Sequence, residues 1–439
     1  MDINPDHFKL VSERWEKQPG KSVLKSYDFP ANYSITFTEQ GKLYLKNLYG
    51  FFEEKFGIDA FHRKSRVNLY SIKYYLGGKS DSLSIKFLIA LKKVAEEYFT
   101  GFEYKSLENQ INFIYHKSSP ENPLAVRFPL NLESPFFGHI IGLSFDSSLS
   151  RYCFVNSNPE LIFKAKSMFE SFGFSCKIAN FGGMQKIWLG TLATKLLELS
   201  GFTIMAQIKA NNPLPKWAVY SKNPEFLSAL LASIIDAEGN INKKSIRVCQ
   251  NTAHPEIDSS LFEFQKFKVL PVSTTSFIYL VPPAKKVELF PVITRKPPLL
   301  LVSLQILLNQ LEVESSLAIA KIYVKKSGEV GSAWHLRIFS QKNLESVYGL
   351  TKAHLIKKPA LEQTLNGYTR KYVSKPGQRI QDFIKLAKLS EKPLFTSRDL
   401  MKLSCRKKKT IINMLSTMES KGIIKFAGFA GKFKKWQLV

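Results

Sequence analysis

The sequence predicts a mixed α+β protein built in three parts, and three observations predict it. Two stretches of the chain, 131–203 and 221–368, run through the same order of helices and strands. Residues before 130 carry mainly helical periodicity, with apolar positions returning every three or four residues. Residues 371–439 hold 17 Lys+Arg against 4 Asp+Glu, about half of the chain's net charge of +27. A hydrophobic fraction of 44% with 23% charged residues belongs to a globular protein. A surplus of 27 positive charges favours a polyanionic partner.

The N-terminal part, 1–130, is read as a helical domain. Apolar residues recur at helical spacing from Leu43 to Phe56, and a basic stretch, Phe61 to Arg66, follows. The short helix Tyr70 to Leu76, the turn Gly77-Gly78-Lys79-Ser80 and the helix Ser84 to Tyr98 resemble the end of a repressor-type helix-turn-helix. An ordinary helical hairpin has the same pattern. The Gly-Lys-Ser ending does not make a phosphate-binding loop, because Lys73 stands where GxxxxGKS requires its first glycine.

In the first repeat, an apolar helix spans Pro135 to Ser147 and a strand Arg151 to Asn156. The helix opened by Asn158-Pro159-Glu160 then runs to Phe172. Strands Ser175 to Ala179 and Lys186 to Leu189 lead into helix Leu192 to Leu199. In the second repeat the matching elements are helix Pro224 to Ala237, strand Ser245 to Gln250, helix Pro298 to Leu311, strands Ser316 to Val324 and Trp334 to Ser340, and helix Asn343 to Tyr348. Residues 251–296, rich in Pro and Val, form an insertion of strands and loop.

The tail, 374–439, follows a linker at Ser374-Lys375-Pro376-Gly377. It predicts helix Arg379 to Leu389, a short helix capped by Thr396 or Ser397, a basic helix Arg406 to Ser420, and a hairpin of Ile423 to Phe426 with Lys434 to Leu438. That order resembles a winged helix-turn-helix. Arg406, Lys407, Lys408 and Lys409 open its third helix, where such helices enter the major groove, and Lys432 lies in the wing.

The most specific signal is Leu231-Ala232-Ser233-Ile234-Ile235-Asp236-Ala237-Glu238-Gly239. It is similar, nearly letter for letter, to the motif that names the LAGLIDADG homing endonucleases, with Ser233 for the first Gly and Glu238 for the last Asp. The first repeat offers Ile140-Ile141-Gly142-Leu143-Ser144-Phe145-Asp146-Ser147-Ser148 at the matching place. The resemblance covers about residues 130–368. It implies a single-chain core of two αββαββα repeats whose two motif helices pack through small residues, with a saddle of strands over duplex DNA. It also implies an acid from each repeat holding a divalent metal, Mg²⁺, by hard oxygen ligands.

Glu238 takes the acid's place in the second repeat, with Asp236 beside it as a further metal ligand. In the first repeat the acid's place falls on Ser147. Asp146 stands one residue early, about 100° around the helix, and is the only carboxylate there to serve. Lys186 and Arg337, on the later strands, are the basic groups expected near scissile phosphates. Three functions follow: a divalent-metal-dependent double-strand endonuclease with a degenerate first site, a non-cleaving DNA-binding regulator derived from one, or an RNA-splicing maturase. The partner expected is double-stranded DNA, and the chain a monomer with an internal pseudo-twofold axis.

Several classes drop out. The four cysteines have no CxxC spacing, which argues against a zinc site and a disulfide framework. His139, His254 and His335 form no HxxH pattern. The first residues show no basic and apolar signal segment, and the apolar run Pro297 to Leu308 is too short for a membrane helix, so an intracellular location is expected. The aromatic residues, 13% of the chain, fall mostly at core spacing and do not suggest a base-stacking platform.

Overall fold

A computed structural model describes residues 3–98, 103–117, 123–143, 145, 153–188, 191–202, 212–242, 244–258, 260, 263, 266–272, 277–281, 289–367, 379–389, 394–404, 408–431 and 433–439. It divides the chain into two units, Met1–Thr364 and Leu365–Val439. The mixed α+β class stands, and among the described residues no helix is long and apolar enough to cross a membrane.

The first unit opens with α1 (Pro5–Lys17), β1 (Val23–Leu24), β2 (Tyr33–Phe37), α2 (Glu39–Phe56), α3 (Ile58–Ser65) and α4 (Tyr70–Leu76). It continues through β3 (Leu83–Ser84), α5 (Ile85–Tyr98), α6 (Tyr104–Glu108), β4 (Ile111–His116), β5 (Leu124–Ala125) and β6 (Leu130–Asn131). A four-stranded sheet of order β3-β2-β4-β5 backs onto these helices. This region is tied to later parts of the first unit. Trp15 donates its indole N–H to the Leu214 carbonyl at 2.7 Å, Arg14 donates two hydrogen bonds to the Asn212 side chain, and β1 pairs with β6.

The segment expected to form a helix-turn-helix joins the sheet between its helices. Between α4 and α5 the chain makes a strand, β3, that pairs with β2 through Ile35↔Leu83 and Ser34↔Ser84. Ile72 and Tyr75 of α4 are buried, and the Tyr75 hydroxyl accepts the Phe37 amide at 2.8 Å. Leu83 is also buried. Leu83 and Tyr75 therefore tie the segment to the sheet.

The first repeat comprises α7 (Pro135–Leu143), β7 (Cys153–Asn156), α8 (Pro159–Ser171), β8 (Ile178–Phe181), β9 (Met184–Trp188) and α9 (Thr191–Leu199). After a short helix α10 (Lys216–Val219), the second comprises α11 (Pro224–Glu238), β10 (Gly239–Asn242), β11 (Ser245–Ala253), β12 (Lys268–Pro271), β13 (Phe277–Leu280), α12 (Leu299–Gln310), β14 (Ser315–Lys325), β15 (Val330–Phe339) and α13 (Gln341–Thr351), with α14 (Lys358–Asn366) after it. Asn158 and Asn223, each followed by proline, cap α8 and α11 by accepting backbone amides.

The repeat seen in the sequence is present in the strand pairing. The first sheet runs β7-β9-β8, and the second contains β11-β15-β14 in the same antiparallel order. The second adds β10 outside β11, and β13 and β12 beyond β14. Two boundaries differ from expectation for one reason each. Gly182 and Gly183, at φ 54° and 81°, make a two-residue turn, so β8 and β9 run up to the glycines. The 251–296 insertion is partly continuous with the core sheet, because β11 extends to Ala253 and β13 pairs with β14.

Helices α7 and α11 cross at the centre. A Cβ built on Gly138 would lie 2.5 Å from the Phe226 carbonyl oxygen, and one on Gly142 would lie 2.6 Å from the Leu230 oxygen and the Ser233 Cβ. Two glycines one turn apart thus bring the backbones together, opposite Ala229 and Ser233. The sequence had pointed to Gly142, Ala232 and Ser233; Gly138 completes the contact.

The second unit comprises α15 (Arg379–Leu389), β16 (Phe395–Thr396), α16 (Ser397–Ser404), α17 (Lys408–Ser420), β17 (Ile424–Ala430) and β18 (Phe433–Leu438), with sheet order β16-β18-β17. Its core gathers Phe383, Phe395, Leu400, Ile411, Leu415, Met418, Ile424 and Trp436. Thr396 rather than Ser397 caps α16: its hydroxyl donates to the Asp399 carboxylate at 2.7 Å and accepts the Asp399 amide.

Candidate nucleic-acid interface

The two ends of α11 have different chemistry. Towards its C-terminus Ile234 and Ile235 are buried, Asp236 is 4% exposed, and Glu238 is half-buried where the chain turns into β10. Residues two apart lie about 200° apart around a helix, so Asp236 and Glu238 point to different sides. Gly239 leaves the helix at φ −76°, and it is required by space: a Cβ there would sit 2.5 Å from the Ile235 oxygen.

Asp236 is not available to a metal, which corrects the expectation for it. Its carboxylate accepts Lys164 Nζ at 3.0 Å and the backbone amides of Ile356 and Lys357, each at 3.0 Å. Lys164 also donates to the His354 carbonyl, and Lys357 Nζ donates to the carbonyls of Ile235 (3.0 Å) and Gly239 (2.6 Å). A cation on the last carbonyls also suits the negative end of the helix. His139 Nδ1 shares a hydrogen bond of 2.7 Å with the Ser233 hydroxyl, and its Nε2 lies 3.3 Å from His354 Nδ1. Burial, with Lys164 and His354 nearby, pushes His139 down to about 3, so it is neutral. This network holds the motif helix from behind.

The other sheet face carries the charge. Along β11 and β15, Ile246, Val248, Leu336 and Ile338 are buried, while Arg247, Cys249, His335 and Arg337 point the other way. Arg247 is paired directly with Arg337, and Cys249 with His335. Lys321 on β14 joins them through Ala333. Burial, helped by the charges of Arg247 and Lys321, lowers His335. Gly239 pairs with Val248, so the register sets Glu238 alongside Cys249; burial raises the Cys249 thiol, and the negative charge of Glu238 adds to the effect. Arg247 Nε is buried without a hydrogen-bond partner among the described residues. Neither arginine nor Lys321 takes part in an ion pair among the described residues.

In the first repeat Lys186 occupies the corresponding face of β9. Its neighbours there include Trp188, over whose ring Lys186 Nζ lies at 3.7 Å. Lys186 and Arg337 thus each sit on the outer face of a central strand. Asp146 lies outside the described residues, as do Arg406, Lys407 and Lys432; Lys408 and Lys409 begin α17. Among the described residues no three His, Cys, Asp or Glu side chains come together as a metal site. Glu238 is the one carboxylate of the expected set that both lies in the described residues and stays by the basic face.

Sequence reasoning missed Arg247, His335 as a member of the basic face, and the Lys164–Asp236 pair. Alternation along Ser245 to Ala253 could have found Arg247; nothing local could have found Lys164. No family model matches the chain, and no curated protein matches it.

Proposed function

We propose that this chain binds double-stranded DNA through the outer faces of its two repeat sheets, with a core of LAGLIDADG type. The observation that carries the reading is the Arg247–Arg337 pair. Like charges directly opposite on neighbouring strands cost stability, and neither arginine forms an ion pair among the described residues, with Lys321 also on this face. A phosphate backbone supplies the missing negative charge. The close crossing of α7 and α11 and the repeated strand order support the LAGLIDADG reading of the core. The tail's sheet order β16-β18-β17 and its cap at Thr396 support a winged-helix reading, in which α17, opened by Lys408 and Lys409, meets a groove.

Binding without efficient double-strand cleavage is the form of the function best supported. Asp236 is consumed by Lys164 and two amides, and Asp146 lies outside the described residues, so the motif acid the reading turns on is Glu238. Magnesium is held in some sites by one or two carboxylates with substrate phosphates and water, so Glu238 by the basic face favours a second reading, single-strand nicking. The test is fluorescence anisotropy of the full chain on labelled duplex across a salt series, with supercoiled plasmid and Mg²⁺ in parallel. Salt-sensitive duplex binding supports the reading; equal or better binding of structured RNA would favour a maturase. Absence of duplex binding at moderate salt removes the proposal.

A further inference from the structure

The outer face of the first repeat differs in character from that of the second. Register places Phe181, Ala179, Met184, Lys186 and Trp188 on one face of the β8–β9 hairpin, with Ile178 and Ile187 on the other. Ile187 is fully buried, whereas Phe181 is 55% exposed, Trp188 51% and Met184 38%. Lys186 Nζ stands 3.7 Å above the Trp188 ring and 5.3 Å from that of Phe181. The turn between the strands is Gly182-Gly183, and a Cβ at either would meet nothing within 4 Å. The corresponding tip in the second repeat, Lys325-Lys326-Ser327-Gly328-Glu329, has no large apolar residue.

Resting on the DNA-binding reading, we infer that this hairpin is an apolar wedge that stacks on nucleobases at a weakened step of bound duplex. Exposed rings lose solvent by covering a base face, and every base offers one; Phe181 and Met184 flank the turn, and Trp188 lies on the same face at the other end of β9. Proteins that bend duplexes insert Phe, Leu or Met side chains at such steps in this way. The cation between the rings selects a polyanion over an apolar partner surface, because Lys186 stays beside the phosphates while Phe181 and Trp188 meet the bases. The glycine turn lets the tip come close to the duplex without side-chain obstruction. The two halves then divide the work: Arg247 and Arg337 hold the backbone, and the first-repeat hairpin senses base stacking.

The experiment compares the full chain on an intact duplex and on the same duplex carrying a two-base mismatch. Expected is binding to the mismatched duplex about tenfold tighter, in the range that one stacked ring contributes. The variant F181S/M184S loses the preference, its affinities for the intact and the mismatched duplex becoming equal. Tryptophan emission provides a second readout, since Trp15, Trp334 and Trp436 are buried, Trp217 is half-buried and Trp188 is the exposed one. Mismatched duplex quenches emission in the wild type and much less in Trp188→Phe. Intact-duplex binding with no mismatch preference, or a preference that survives in F181S/M184S, overturns the wedge alone. Equal quenching in Trp188→Phe overturns it as well. Failure to bind either duplex overturns both the wedge and the DNA reading beneath it.

Discussion

Arg247 on β11 and Arg337 on β15 stand directly opposite each other on the outer face of the second sheet. Folding alone gains nothing from that arrangement, so two effects of opposite sign are expected on removing one of them. Arg337→Ala raises stability by about 0.5 kcal/mol, the scale of a cross-strand pair. The same change weakens duplex binding and lowers the salt dependence, d log K/d log[salt], by about one in magnitude. Urea unfolding and a salt titration check the two signs separately. A loss of stability with unchanged salt slope would mean that the pair serves the fold.

Glu238→Gln separates binding from chemistry. The substitution removes a negative charge beside the basic face, so duplex affinity is expected to stay or rise slightly. Any Mg²⁺-dependent nicking of supercoiled plasmid is expected to vanish. Linear product from the wild type would mean that a second acid operates, with Asp146 the one to mutate next.

In the Lys164–Asp236 pair the carboxylate is buried and accepts Lys164 and two backbone amides, and Lys164 is half-buried. Asp236→Ala leaves two amides without their acceptor and Lys164 with the His354 carbonyl but no counter-charge, and is expected to cost about 3 to 5 kcal/mol. Combining it with Lys164→Met is expected to cost less than the sum of the single changes. Denaturant midpoints of the four proteins measure the coupling. Additive losses would show that the two side chains act independently.

Gly142→Ala tests the helix crossing. The added methyl meets the Leu230 carbonyl and Ser233 Cβ at 2.6 Å, and the two backbones must separate. Overpacking of this kind costs about 1 to 3 kcal/mol. The readout is thermal unfolding, with Gly349→Ala, where a Cβ meets nothing within 4 Å, as the reference.

His139 gives the fold a defined acid sensitivity. Its folded value is pushed down to about 3 from 6.5, so below 6.5 the unfolded chain binds a proton that the folded chain refuses. Its contribution is therefore whole above pH 6.5 and falls by about 1.4 kcal/mol per pH unit between 6.5 and 3. Urea midpoints at pH 7 and pH 4.5 are expected to converge in His139→Gln relative to the wild type. Parallel losses in the two proteins would assign the acid sensitivity elsewhere.

The repeat, its helices and the helix opening at Asn158 were legible because they are local. Periodicity, proline at the first helical position and a motif of nine residues all act within one or two turns of chain. The strand limits were less legible. Ser175 to Ala179 had strand-like composition, but the glycines at 182 and 183 set where the hairpin turned, and that moved the strands towards the turn. The reach of Trp15 and Arg14 to Leu214 and Asn212 was not legible, because it is a relation that no local pattern carries.

By itself the sequence determined the two-repeat order, the position of Glu238 at the end of a helix and the surplus of positive charge. Tertiary structure decided what each acid and each ring is for. Asp236 and Glu238 are nearly equivalent as letters, yet the helix turns one towards Lys164 and the other towards the basic face. Trp188 and Phe181 resemble core residues by spacing, yet pairing with β7 and the Gly182–Gly183 turn leaves them on the outer face. Side-chain direction depends on which element packs behind, and that partner comes from tens or hundreds of residues away.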